Sequence, residues 1–255
     1  MNILITGASS GFGKAMAIKF ASMGHSIMIT ARRADRIEAL AKELRDQYQV
    51  TVIPKIVDVR DRAKVFSSLE NDPFVAELDV LINNAGLALG RDYFEEASLD
   101  DWETMLDTNV KGVMYVTRAV LPSMIKRAKG HIINIGSIAG LEVYEKGNGY
   151  CASKHALDAL SQSMRIDLLR HRIKVTSIHP GAAETEFSLV RFKGDPQKAA
   201  SVYDGYIPLY AEDIAEVVSY AVHVPEHVCL NSIEMTCTAQ ANSFTLYKSI
   251  GQAKS

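Results

Sequence analysis

Tyr150 and Lys154 stand four residues apart in a helical pattern, so both side chains share one helix face. A free phenol ionises near pH ~10, which makes it a poor base at neutral pH. A neighbouring ammonium favours the phenolate and lowers that value. The pair can then exchange a proton with an alcohol or a carbonyl oxygen. Ser137 lies thirteen residues earlier, at the end of an apolar run, where its hydroxyl can hold the same oxygen. Tyr-x-x-x-Lys alone also describes a solvated helix face. The combination with a second motif near the N-terminus is what makes chance a poor explanation.

That second motif is Thr6-Gly7-Ala8-Ser9-Ser10-Gly11-Phe12-Gly13, which follows a short apolar run and leads into a helical pattern. Gly7, Gly11 and Gly13 allow a tight turn and a close approach of backbone to a ligand. The helix start then offers free N–H groups and a positive dipole end to an anion. Ser9, Ser10 and Phe12 fill the same loop. The spacing is G-x-x-x-G-x-G rather than G-x-G-x-x-G. At the next apolar run the chain reads Ile29-Thr30-Ala31-Arg32-Arg33, with no carboxylate to accept a bond from a free ribose 2′-hydroxyl. Two guanidiniums suit a 2′-phosphate instead, which predicts NADP rather than NAD. The plainer alternative has Arg32 and Arg33 cap the following helix or pair with Asp35. Asp58, at the end of the third run, either reaches the adenine edge or N-caps the next helix.

These residues need a scaffold. Apolar runs at Ile3–Ile5, Ile27–Ile29, Val50–Val57, Val80–Ile82, Ile132–Ile135, Val175–Ile178 and Ser232–Thr236 read as about seven strands. Helical patterns lie between them, at Lys14–Met23, Ile37–Leu44, Val65–Leu69, Leu99–Arg127, Cys151–Arg170 and Ile214–Ala221. Continuous apolar strands alternating with helices predict an α/β fold, a Rossmann-type doubly wound parallel sheet with helices on both faces. One domain is expected over 1–255. Residues 184–210, polar and aromatic, are long for a connection and read as a lid or as an idle insertion. Pro122 is expected to kink or end the long helix. Trp102 reads as a packing anchor and Cys151 as a packed small hydrophobe. His155 and His179 lie near the site in sequence without a relay-partner spacing.

The chain has 255 residues, 28 Lys+Arg against 30 Asp+Glu, 47% hydrophobic and 23% charged residues. This balance excludes a disordered chain and argues against nucleic acid as a partner. Three scattered cysteines carry no zinc-ligand spacing, so no metal is expected, and they fit a reducing compartment. No signal-like segment and no membrane-length apolar run is read, so the expectation is a cytoplasmic protein.

The sequence resembles the short-chain dehydrogenase/reductase family. The resemblance rests on the Thr6–Gly13 loop, Asn83-Asn84-Ala85-Gly86, Asn109, Ser137, Tyr150-x-x-x-Lys154 and Pro180-Gly181, in order from residue 6 to about 190. It implies Tyr150 as general acid/base. Lys154 would bind the nicotinamide ribose and depress the Tyr150 pKa, and Ser137 would orient the substrate oxygen. Asn109 would complete a proton relay through water. Residues 83–86 would support the sheet and line the cofactor site, with Asn84, Ala85 and Gly86 at the cofactor and Asn84 in direct contact. Val59 would lie beside Asp58 there, and Pro180-Gly181 would flank the nicotinamide. The family also implies a homotetramer, which fits the wide apolar coverage of the helices around Met105, Met114, Met124, Leu157, Leu160, Met164, Leu168 and Leu169.

Within the family, Asn83–Gly90, Asp101–Gly112, Arg118–Gly140 and Glu186–Asp195 resemble NADP-dependent 3-hydroxy acid dehydrogenases. That group includes serine and L-allo-threonine dehydrogenases and malonic-semialdehyde reductases. The implied reaction is hydride transfer between nicotinamide and a 3-hydroxy acid, 3-oxo acid or semialdehyde. The chain departs from the group between Leu141 and Gly149, where Glu142, Glu145 and Lys146 occur. A substrate carboxylate needs a cation. Arg191 and Lys193 are the candidates, and solvated lid charges are the plain alternative. Glu142 would attract a substrate ammonium or repel acids. Two rival expectations are a 3-oxoacyl or general carbonyl reductase and a non-catalytic NADP-binding regulator.

Overall fold

The computed structural model describes residues 1–248, so 249–255 of the expected 1–255 domain lie outside the described residues. Seven strands form one sheet in the order β3-β2-β1-β4-β5-β6-β7. They are β1 (Asn2–Thr6), β2 (Ser26–Ala31), β3 (Val52–Ile56), β4 (Val80–Asn83), β5 (Gly130–Ile135), β6 (Ile173–Pro180) and β7 (Ser232–Met235). Every pairing is parallel. The doubly wound α/β class expected from the sequence is the architecture observed.

The helices are α1 (Gly11–Ser22), α2 (Ala34–Tyr48), α3 (Arg62–Leu69), α4 (Pro73–Ala76), α5 (Leu99–Leu106), α6 (Gly112–Arg127), α7 (Asn148–Leu168), α8 (Glu186–Arg191), α9 (Pro196–Ser201) and α10 (Ala211–His223). Side chains alternate across each strand. Ile3, Ile5, Ile27 and Ile29 therefore pack on one face with Phe20, Ile37, Leu40, Ile214 and Val218. Leu4, Met28 and Leu81 pack on the other with Val65, Val116, Val120 and Val175. The strands read as unbroken apolar runs because both of their faces are buried.

One expectation needs correction and another is narrowed. The single helix over Leu99–Arg127 is broken by a π turn at Asp107–Lys111 between α5 and α6, and the apolar pattern hid it because both halves share a buried face. Of the two outcomes expected at Pro122, the end of the helix does not occur there, because α6 runs on to Arg127. Ser123 Oγ there donates to the Val75 and Val120 carbonyls.

Residues 184–210 are not an unstructured connection. They contain α8 and α9, pinned by Ser188 Oγ against Tyr203 Oη at 2.6 Å and by Tyr203 Oη donating to the Ala183 carbonyl at 2.7 Å.

The chain reverses its winding between β1 and β4. At such a switch point the loops after adjacent strands part and leave a crevice at the carboxyl edge of the sheet. The loop after β1, the segment after β4 and the end of β5 all open there.

Candidate active site

The crevice holds a cleft of about 280 Å³. One end is formed by Arg32, Arg33, Asp58 and Val59, the middle by the glycine loop, and the far end by Tyr150 and Lys154. Gly7 has φ +67°, and a Cβ on it would lie 2.8 Å from Ala85 Cα. A Cβ on Gly13 would lie 2.5 Å from the Gly7 carbonyl oxygen. Only glycine allows this loop to close against its neighbours. Gly7, Ser9, Ser10, Gly11 and Phe12 line the cleft, whereas Gly13 is packed behind it. Ser10, at the start of α1, makes no side-chain cap bond, so the first-turn N–H groups are not satisfied that way.

The segment after β4 braces this loop. Thr6 Oγ1 accepts bonds from Asn84 N and Ala85 N at 3.0 Å. The Asn84 side-chain amide donates to the Thr6 and Gly7 carbonyls at 2.9 and 3.2 Å. Asn84, Ala85 and Gly86 line the cleft, and the Asn84 amide nitrogen serves the loop backbone. Asn83 donates to Asn134 Oδ1 and Thr117 Oγ1, and Asn134 donates on to Ser161 in α7. This buried chain ties β4, β5, α6 and α7 together.

At the far end, Tyr150 is 8% exposed and Lys154 6%. Lys154 Nζ lies 5.9 Å from the Tyr150 ring centre and donates to the Ile135 carbonyl at 2.9 Å. Burial and the nearby Tyr144 push the Tyr150 phenol well above its usual range, against the hydrogen bond from Ser137 and the Arg191 charge. Burial lowers the Lys154 pKa to about 8. Desolvation is the largest influence on the phenol, and the groups that pull it downward are Ser137 and Arg191.

Ser137 Oγ also accepts from Ala139 N and lies 3.5 Å from the Pro180 carbonyl. His179 Nδ1 meets the Ser137 carbonyl at 3.2 Å, and its Nε2 stands 3.6 Å from Asp158, a contact that sequence spacing did not reveal. Pro180 and Gly181 stand at the β6 end without lining the cleft, and Gly181 N donates to the Met235 carbonyl.

Asn109 sits in the π turn, 1% exposed. Its amide donates to the Leu87 carbonyl and to Ser153 Oγ, and its Oδ1 accepts from Leu87 N. Three side-chain bonds thus anchor it to Leu87 and Ser153. Its observed work is to fix the segment after β4 against α7.

The lid cations part company. The Arg191 guanidinium lies 5.6 Å from the Tyr150 ring centre and 5.7 Å from that of Tyr144. It donates to Tyr144 Oη at 3.0 Å and to the Gly90 carbonyl, using two of its five donors. Lys193, more exposed, pairs with Asp101 at 2.8 Å. Glu142 accepts from Ser243 N through Oε2 at 2.8 Å and so tethers a distal segment.

Asp58 binds Arg60 through both carboxylate oxygens, and this bond holds its carboxyl below the usual range. The helix it was offered to cap is capped by Asp61. Arg33 stands at the N-cap of α2 without a side-chain cap bond. It donates to Ser9 and Ser10 hydroxyls and to Glu186.

Sequence reading missed Arg36, Tyr144, Glu186 and Phe187. Phe187 meets the Tyr150 ring edge-on at 5.7 Å. Arg36 lies three residues past Arg33 on α2, a spacing that marks a shared face. The others come from the lid and the 141–149 segment, where no periodicity points inward.

A family model described as short chain dehydrogenase matches residues 1–194. The chain is 45% identical over 243 residues to an NADP-dependent 3-hydroxy acid dehydrogenase of Salmonella typhi, covering 94% of this chain and 96% of that one. It is 43% identical over 241 residues to sulfoacetaldehyde reductase 2 of Chromohalobacter salexigens, covering 94% and 95%. Among solved structures, the closed form of a serine dehydrogenase complexed with NADP+ superposes with a TM-score of 0.89 at 42% identity, over 100% of both chains.

Proposed function

The chain belongs to the short-chain dehydrogenase family, and from that premise we propose that it is an NADP-dependent oxidoreductase acting on the CH–OH group of a 3-hydroxy acid or on the matching 3-oxo acid or semialdehyde. The observation that carries this reading is the buried Tyr150, with Lys154 on its helix face and the Arg191 charge over its ring, at the end of a glycine-loop cleft whose other end holds Arg32 and Arg33. The relatives act on compounds that fit it. A 3-hydroxy acid and sulfoacetaldehyde each carry an anion one carbon away from the reacting carbon.

The cleft fits the cofactor. The glycine loop and the α1 start would receive the pyrophosphate, and Arg32 and Arg33 the 2′-phosphate. Lys154 would meet the nicotinamide ribose. When bound, NADP supplies or accepts the hydride at nicotinamide C4.

Everything else falls to the chain. Ser137 Oγ holds the substrate oxygen. Tyr150 Oη gives a proton to that oxygen in reduction and takes it in oxidation. Its burial keeps it protonated without a ligand, the form reduction needs. Lys154, with a pKa of about 8, is mostly cationic at neutral pH and favours the phenolate that oxidation needs. Arg191 takes the substrate's carboxylate, which sets the reacting carbon beside Tyr150.

Tyr150→Phe tests the reading. Turnover of 3-hydroxy acids should fall by about 10²–10⁴-fold while NADPH still binds, as fluorescence titration would show. Unchanged turnover would remove Tyr150 from its role. Wild-type activity on acyl thioesters alone would favour a 3-oxoacyl reductase.

Two coarser features complete the proposal. Among the described residues no helix is long and apolar enough to cross a membrane, and the three cysteines are free, which supports a cytoplasmic enzyme. Exposed apolar side chains on α5, α6 and α7 support a homotetramer.

A further inference from the structure

Glu186 opens the lid helix α8 and reaches across to α2 and the glycine loop. Its Oε2 lies 3.0 Å from Arg33 Nη1, and Arg36 Nη1 meets its Oε1 and Oε2 at 2.8 and 3.0 Å. Arg33 also donates through Nε and Nη2 to Ser9 Oγ and through Nη2 to Ser10 Oγ. Two guanidiniums and two hydroxyls thus converge just beyond β2, where this fold receives the adenosine ribose. The anion they hold belongs to the chain itself. Partial burial works against a charged Glu186, but the bonds from Arg33 and Arg36 outweigh it and keep the carboxyl below its usual range.

We propose that Glu186 is a resident anion in the 2′-phosphate seat, a lid carboxylate that incoming NADP must exchange for its own phosphate, with Arg36 as a further guanidinium of that seat beside Arg32 and Arg33. This rests on the reading of the chain as NADP-dependent.

The chemistry of the exchange is direct. Carboxylate and phosphate compete for the same guanidinium forks. A phosphate monoester carries about −1.5 to −2 at neutral pH against one unit on Glu186, so the phosphate wins the contest. A nucleotide with a free 2′-hydroxyl has no charge to offer the arginines and leaves Glu186 in place. The seat is also linked to the reacting end of the cleft. Glu186 begins the six-residue helix that Arg191 ends, and Arg191 lies over the Tyr150 ring. One short helix thus joins the residue in the phosphate seat to the residue over the Tyr150 ring.

The test is calorimetric binding of the two half-cofactors 2′,5′-ADP and 5′-AMP, with no turnover involved. Wild type should bind 2′,5′-ADP more tightly; equal affinities would overturn the NADP reading and the proposal with it. Glu186→Gln should tighten 2′,5′-ADP by about three- to ten-fold, the range that two half-exposed ion pairs carry, and leave 5′-AMP unchanged. Arg36→Ala should weaken 2′,5′-ADP alone. If wild type prefers 2′,5′-ADP but Glu186→Gln binds it equally or less tightly, Glu186 is part of the phosphate's binding site or a bystander. The exchange is then wrong while the NADP reading stands. An Arg36→Ala variant with unchanged 2′,5′-ADP affinity would remove Arg36 from the seat.

Discussion

Tyr150 and Lys154 are both buried and both ionisable, and each is displaced from its ordinary pKa by the loss of water. Arg191 is the one lid cation brought to them. If it reads the substrate's carboxylate, Arg191→Ala removes a charge-assisted bond of about 1.5–3 kcal/mol. kcat/KM for a 3-hydroxy acid should then fall by roughly 10–150-fold. Lys193→Ala, whose partner is Asp101, should stay within about two-fold of wild type, because an exposed pair contributes little. Steady-state kinetics on a carboxylate substrate and a neutral alcohol separates the cases; equal losses on both would argue against carboxylate recognition. The Ser137, Tyr150 and Lys154 set was legible in the sequence because a four-residue helix spacing and a strand-end position are local facts. The choice between Arg191 and Lys193 was not. It depends on Asp101, ninety-two positions away, and on the two tyrosine rings under Arg191.

At the scale of elements, β5 carries a cost that its apolar pattern does not announce. His131 is 4% exposed and bonds Thr176 Oγ1 at 2.7 Å, while its Nδ1 has no partner. Burial, helped by Lys174, lowers its pKa to about 3. The unfolded chain takes a proton there near pH 6.5 and the folded chain refuses it. The contribution is therefore intact above pH 6.5 and is lost as pH falls from 6.5 toward 3, by at most about 1.4 kcal/mol per unit. His131→Gln should flatten that part of the acid profile, read by denaturant unfolding at pH 7, 6, 5 and 4. An unchanged slope would show that His131 is not the titrating group. The elements themselves were largely readable, since buried parallel strands repeat β-branched runs. The π turn at Asp107–Lys111 was not, because it conserves the apolar stripe on either side and reveals itself only through the bonds of Asn109.

For the whole molecule, the prediction concerns association. Of the apolar residues expected to meet another subunit, Met105, Met124, Leu157 and Leu168 are buried within this chain. Met114 and Leu169 of that set are exposed, and beside them stand Leu99 and Leu106 on α5 and Ile166 on α7, with Ile166 and Leu169 each 75% exposed. Two fully apolar side chains three positions apart on one helix face form a patch that water disfavours. A homotetramer predicts a mass near four times 28.0 kDa in light scattering. Ile166→Glu with Leu169→Glu should lower it. A monomeric wild type would refute the assembly.

The sequence by itself determined the doubly wound sheet, the glycine loop, the Ser137–Tyr150–Lys154 set and the arginines after β2. Each is encoded by a pattern within some twenty residues, where backbone geometry fixes what faces what. Only the tertiary structure decided which charges meet. It set Glu186 on Arg33 and Arg36, Lys193 on Asp101, Glu142 on the Ser243 backbone and Arg191 over Tyr150. The reason is physical: an ion pair depends on distance through space and on the water excluded around it, and the lid that carries three of these charges is brought to its partners by folding rather than by spacing along the chain.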